Sequence, residues 1–175
     1  MIGWLSGRVI DKQQPGHVVL NVNGVGYDVE TSLQTFFQLE SCVHDPIQLY
    51  IHTVVREDAF LLYGFWDQLE RSLFRALIKV NGIGPKLAIG ILSSISPSEF
   101  VQSVRSQDLA RLTKVSGVGK KTAERLLIEM KDIVNQFSIM DEGKTAELNI
   151  KSVSVRQEVA EAMSALESLG YKYHE

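Results

Sequence analysis

The feature that most limits what this chain can fold into is an internal repeat. VNGIGPKLAIGIL at residues 80–92 and VSGVGKKTAERLL at residues 115–127 align without a gap at an offset of 35 residues. Gly82 matches Gly117, Gly84 matches Gly119, Lys86 matches Lys121, Ala88 matches Ala123 and Leu92 matches Leu127. Such self-similarity marks one supersecondary unit used twice. Leu69, Leu73, Leu77 and Val80 precede the first copy at helical spacing, and Leu109, Leu112 and Val115 precede the second. The unit therefore reads as helix, tight Gly-apolar-Gly turn, helix. Pro97, flanked by Ser96 and Ser98, marks a further helix start between the copies.

The chemistry follows from the turn. Its glycines permit positive φ or close approach of another backbone, so the first N–H groups of the second helix can face outward where the helix dipole favours an anion. Lys86 in one copy, and Lys120, Lys121 and Arg125 in the other, lie just past the turn. They add charge for phosphate oxygens without reading base edges. A single copy could equally be a plain helical hairpin. Two aligned copies, each with an apolar residue between its glycines (Ile83, Val118) and a small Ala for close helix packing, point to a sequence-indifferent phosphate cradle.

Two catalytic readings compete with it. GVGKKT resembles a nucleotide-binding P-loop, but Lys114 stands where G-x-x-x-x-G-K-[ST] requires Gly, and Lys121 where it requires Ser or Thr. No ATP hydrolysis is expected. The second copy also resembles the hairpin of helix-hairpin-helix DNA glycosylases, with Lys121 as the nucleophile for base excision. That activity needs a downstream Asp in a Gly/Pro-rich context. Asp132 falls in a helical pattern and Asp141 in a linker, and iron–sulfur cysteines are lacking. General duplex binding is the third alternative.

Ahead of the repeat, residues 1–65 read as strands. Apolar alternation runs through Val18, Leu20 and Val22, then Tyr27 and Val29, then Ile47, Leu49 and Ile51. Gln14-Pro15-Gly16 and Asn23-Gly24 are turn chemistry, and in VVREDAFLLYGF the trio Arg56-Glu57-Asp58 sits between two apolar runs as a hairpin tip. Five short strands, with one intervening segment near residues 32–39, predict a small barrel of the OB type; an SH3-like barrel fits nearly as well. Residues 66–137 read as a helical region that carries the repeat, and residues 138–154, without period, read as a flexible linker. Residues 155–175 contain an amphipathic segment with Val159, Met163 and Leu166 that ends at Gly170.

Charge follows this division. Lys/Arg against Asp/Glu is 3 to 7 over residues 1–65, 11 to 7 over 66–137 and 4 to 7 over 138–175. The net charges are −4, +4 and −3, so the basic excess coincides with the repeat, as a polyanion partner requires. No apolar run reaches the roughly 18 residues of a membrane span, and the amino terminus lacks a signal-peptide pattern, so a cytoplasmic protein is expected. A single cysteine, Cys42, and dispersed His17, His44, His52 and His174 predict neither disulfide, metal site nor cofactor.

In the order MIGWLSGRVI, NVNGVGYDV, VVREDAFLLYGF, NGIGPKLA, GVGKKTAERL, the chain closely resembles the RuvA family, the Holliday-junction-binding subunits of the bacterial branch-migration complex. The resemblance covers nearly the whole chain. It implies a non-catalytic homotetramer that holds four-way junction DNA open and square, a hexameric ATPase partner, RuvB, and a resolving nuclease, RuvC. It also implies that Asn81, Gly82, Gly84 and Lys86, with Ser116, Gly117, Gly119, Lys120, Lys121 and Arg125, hold the arm backbones. Glu57 and Asp58 become an acidic pin, with no catalytic residue anywhere. A carboxylate about 6 Å from a phosphate is repelled by roughly 0.7 kcal/mol even at the dielectric of water, so eight around a four-fold axis would keep strands apart. One departure stands out. The family's third, three-helix domain is represented only by its first helix and the LGYKYHE turn, so the sequence is either truncated or has lost part of that module.

Overall fold

The structure is a computed structural model that describes residues 1–40, 42 and 46–134. The expected linker and the amphipathic segment at residues 155–175 lie outside the described residues.

The amino-terminal strands are β1 (Trp4–Gln14), β2 (His17–Val22), β3 (Val25–Thr31), β4 (Ile47–Val55) and β5 (Phe60–Phe65), with helix α1 (Leu33–Glu40) between β3 and β4. They close into a barrel in the order β1-β2-β3-β5-β4, and every pairing is antiparallel except β3 with β5. This closed order, with a helix after β3, is the OB arrangement rather than the SH3-like one. The turns obey the chemistry written in them. Asn23 and Gly24 both take positive φ, which makes the two-residue type I′ turn whose twist suits a hairpin. The alternating residues point as the period requires: Val18, Leu20, Val29, Ile47, Leu49 and Ile51 are buried in one core, which α1 closes with Phe36 and Leu39.

The helices that follow are α2 (Gln68–Leu77), α3 (Pro85–Ser94), α4 (Pro97–Arg105), α5 (Leu109–Thr113) and α6 (Lys120–Glu129). Ser96 and Glu99 form a reciprocal capping box at the start of α4, with Pro97 in its first turn.

Helix α2 fastens this group to the barrel, and its buried face is rotated from the one that Leu69, Leu73 and Leu77 suggest. Leu69 is only half-buried, whereas Glu70, Leu73, Phe74 and Leu77 are buried. Phe74 packs its ring against those of His52, Tyr63 and Phe65, with centroids 4.9 to 5.4 Å apart. Beside it Glu70, 3% exposed, accepts from the Ser32 hydroxyl, from Thr35 Oγ1 at 2.7 Å and from the Trp66 amide at 3.3 Å. Ser32 Oγ in turn accepts from the Thr35 amide and so caps α1. One carboxylate thus ties α2, α1 and the exit of β5 together. Burial pushes the Glu70 carboxyl upward, partly offset by its hydroxyl donors and reinforced by nearby Asp67.

Replacing Glu70 with Ala strands two buried hydroxyls, and at about 1–3 kcal/mol for each unsatisfied group urea unfolding should show a loss of about 2–6 kcal/mol. Glu70→Gln keeps the shape without the ionisation. A carboxyl raised in the fold gives stability that is complete below its ordinary 4.5 and declines as pH rises through the folded value. The wild-type chain should therefore lose ground against Glu70→Gln between pH 4 and pH 8; a difference that does not change with pH would mean that the carboxyl is not raised.

Candidate nucleic-acid interface

Both repeat copies fold into the same local structure, bond for bond. The Ile83 amide donates to the Val80 carbonyl at 3.0 Å, and the Val118 amide to the Val115 carbonyl at 3.0 Å. Ala88 donates to Gly84 O, and Ala123 to Gly119 O, as the first turns of α3 and α6. Val80, Ile83, Ala88 and Leu92 are buried, as are Val115, Val118, Ala123 and Leu127. The apolar residue of each Gly-apolar-Gly turn is therefore an anchor that plugs the loop into the core.

The two glycines of each turn do different jobs. Gly82 (φ 88) and Gly117 (φ 82) are left-handed, the conformation in which a Cβ is strained, and they reverse the chain. Gly84 (φ −88) and Gly119 (φ −79) are extended caps at the starts of α3 and α6. A Cβ at either would meet nothing within 4 Å. Their bareness is not required by the fold and leaves the backbone open to an outside group.

What distinguishes α3 and α6 is the treatment of their first amides. Ser32, Asp67, Ser96 and Asp108 each accept from the backbone at the starts of α1, α2, α4 and α5. Gly84 and Gly119 provide no side-chain cap. Among the described residues the helix starts without a side-chain cap are thus the two that follow the repeated glycines, and their first N–H groups, with the positive end of each helix dipole, are ready for an anion.

Around them the exposed side chains are basic. Asn81 and Ser116 sit exposed at matching positions, Lys86 in the first turn of α3, and Lys120 and Lys121 in the first turn of α6. Two further lysines just outside the repeat, Lys79 and Lys114, are exposed two residues ahead of Asn81 and Ser116. They are also 35 residues apart, so extending the alignment backward by one residue from Val80 and Val115 would have found them. None of the five lysines joins an ion pair among the described residues. Arg125 differs: its Nη1 donates to the Asn81 carbonyl at 2.7 Å, and its Nε lies 3.8 Å from Glu129. Asp132, the acid a glycosylase reading would use, is exposed.

Glu57 and Asp58 lie exposed at the tip of the β4–β5 hairpin, which the Arg56 amide closes on the Ala59 carbonyl at 2.8 Å. Because β5 runs from this tip into α2, six residues of strand, roughly 20 Å, separate the acidic tip from the start of the helices. Directly below this tip Val55 pairs with Phe60, and both are more than half exposed. Among the described residues no three His, Cys, Asp or Glu side chains gather as a metal site, and no helix is long and apolar enough to cross a membrane.

Comparison with known proteins finds two family models along the chain. A family model described as RuvA N terminal domain matches residues 1–64, and a model of the SAM-like helix-hairpin-helix tandem matches residues 74–132. A Legionella pneumophila (strain Corby) protein named Holliday junction branch migration complex subunit RuvA is 60% identical over 175 residues, all of this chain and 85% of the relative. Proteins of the same name from Pseudomonas fluorescens and Pseudomonas aeruginosa are 47% identical over 182 residues and 48% over 176, each alignment spanning this whole chain and 87% of the relative.

The division of labour between the glycines has a measurable consequence. Gly82→Ala should cost about 1–2 kcal/mol for the left-handed backbone. Gly117→Ala should cost more, since its Cβ would also come 3.0 Å from Leu87 Cδ1. Gly84→Ala and Gly119→Ala should unfold at nearly the wild-type denaturant concentration; a loss there equal to that at Gly82 would overturn the distinction.

Proposed function

This chain belongs to the RuvA family of Holliday junction branch migration subunits, and from that membership we propose that it is a non-catalytic scaffold that holds a four-way junction open for a motor. The observation that carries the reading is the pair of uncapped helix starts, each framed by bare glycine and free lysines. Two cradles in one subunit suit two phosphates of one duplex arm. Gly82, Gly84 and Lys86, with Asn81, form the first; Gly117, Gly119, Lys120 and Lys121, with Ser116, form the second. Backbone amides and ammonium groups reach phosphate oxygens and no base edge, so recognition is of shape rather than sequence. Lys79 and Lys114 extend the positive field.

Four copies around a four-fold axis would set one arm on each subunit and bring eight pin carboxylates, from Glu57 and Asp58, to the crossover. There they repel strands that would otherwise close across the centre. The basic helical region and the acidic barrel have opposite net charge, which suits arms held outside and strands kept apart within. We assign residues 1–65 to the barrel and pin and 66–137 to arm binding. Residues 138–154 serve as a tether, and 155–175 belong to the module that meets the RuvB ATPase. The complex acts in the cytoplasm and hands junctions to the RuvC resolvase. It needs no cofactor, and Lys121 acts as a phosphate contact rather than as a nucleophile.

Gel shifts with a four-way junction and a linear duplex, with the mass of the bound species measured, test this. The junction should be preferred by a tetramer, and log affinity should fall against log salt by about 0.9 for each phosphate neutralised. Gly84→Val with Gly119→Val should weaken binding to every DNA sequence alike. Glu57→Gln with Asp58→Asn should keep or raise junction affinity while eroding preference over linear duplex. Salt-insensitive binding would refute the cradle, loss of junction binding in the uncharged pin would refute the pin, and nicking of lesion-containing duplex would restore the glycosylase reading.

A further inference from the structure

The two hairpins are interlocked as well as repeated. From α6, Arg125 reaches back 44 residues to donate to the Asn81 carbonyl at 2.7 Å, and a Cβ on Gly82 would stand 3.8 Å from the same nitrogen. From α3, Leu87 covers the other loop, with its Cδ1 3.0 Å from where a Cβ on Gly117 would be. Each hairpin's second helix therefore holds down the other hairpin's turn. Glu129, one helical turn beyond Arg125, faces the guanidinium from the same helix at 3.8 Å and helps to set its direction.

We propose that Arg125 is a positioning residue: it fastens the loop of the first cradle to the helix of the second, so that both present their amides to a duplex arm at one fixed spacing. The inference rests on the phosphate-cradle reading above and adds a role distinct from direct contact. A carbonyl in the loop is an acceptor that only a donor from elsewhere can hold. Arginine suits the task because its planar fork can donate to Asn81 and face Glu129 at once, which a lysine cannot do in the same geometry. Fixing the two loops before DNA arrives removes the ordering cost that two independent loops would each meet on binding. The Arg125 side chain is about half exposed, so direct phosphate contact is the competing role, and the two roles differ in what they couple.

The experiment uses the full chain, with Arg125→Gln, Lys86→Gln and Lys121→Gln alone and in pairs. In the DNA-free protein, amide hydrogen exchange is read at Ile83, whose N–H closes the first loop, with Val118 in the second loop as the internal control. Arg125→Gln should speed exchange at Ile83 by about tenfold and leave Val118 within twofold. In junction binding, Lys86→Gln should cost much less in the Arg125→Gln background than in the wild type, because the first cradle is already misplaced, while the cost of Lys121→Gln should be the same in both. Arg125→Lys should restore part of the Ile83 protection. Unchanged exchange at Ile83, with independent effects in both pairs and a salt slope lower by about one, would make Arg125 a plain phosphate contact and overturn the proposal. If Lys86→Gln and Lys121→Gln leave junction affinity untouched, the cradle itself fails and the proposal with it; the exchange at Ile83 then still shows whether the clamp exists.

Discussion

The placement of the repeated hairpins on the barrel depends on one helix that belongs to two structures at once. Helix α2 lies against the barrel through Phe74 and the buried Glu70 carboxylate, and it is also the first arm of the first hairpin. Apolar packing alone would let such a helix slide or rotate on the barrel wall. A carboxylate that accepts from Ser32, Thr35 and Trp66 has one satisfying placement. It therefore fixes rotation and register where hydrophobic contact fixes only proximity. The Leu33 amide adds a second tie, donating to Ser93 Oγ at the end of α3. The direction of the first hairpin with respect to the barrel follows from these contacts.

From that frame the duplication does the rest. One copy of the turn offers a single helix start with unused amides, a modest anion site in water. The second copy is held to the first through Arg125 and Leu87, which in the proposed reading sets a second site at a fixed distance for phosphates that are themselves evenly spaced along a duplex. Affinity built this way is electrostatic and indifferent to bases, as a subunit needs if its junction is to migrate through any sequence. In the proposed reading discrimination comes from shape, with repulsion from the acidic hairpin on the barrel as its source.

Much of this was legible in the residues. The repeat, the Gly-apolar-Gly turns, the Asn23-Gly24 turn and the strand alternation in residues 18–51 are local codes, each fixed by residues a few positions apart, and the fold follows them, although which glycine of each turn is left-handed came from the structure. Lys86, Lys120 and Lys121 stand out in the sequence for the same reason, and Lys79 and Lys114 share their 35-residue offset one position before the repeat. The lack of a cap at Gly84 and Gly119 could also be read, since Ser and Asp stand before the other helices.

Only the tertiary structure could decide the rest. In the sequence Glu70 is an acidic residue beside an apolar stripe, and such residues face water unless other elements close over them; here α1 and the end of β5 do so. Arg125 looks like one more basic residue of a motif until the fold brings a carbonyl from 44 residues away within its reach. The choice of OB over SH3-like closure was likewise undetermined, because it turns on the parallel pairing of Glu30 and Thr31 with Tyr63 and Gly64. The sequence determined what each segment becomes, since backbone conformation and apolar period are properties of neighbouring residues. Which segments meet is a property of surfaces that exist only once the elements have formed, and the buried carboxylate, the interlocked hairpins and the barrel closure all belong to that level.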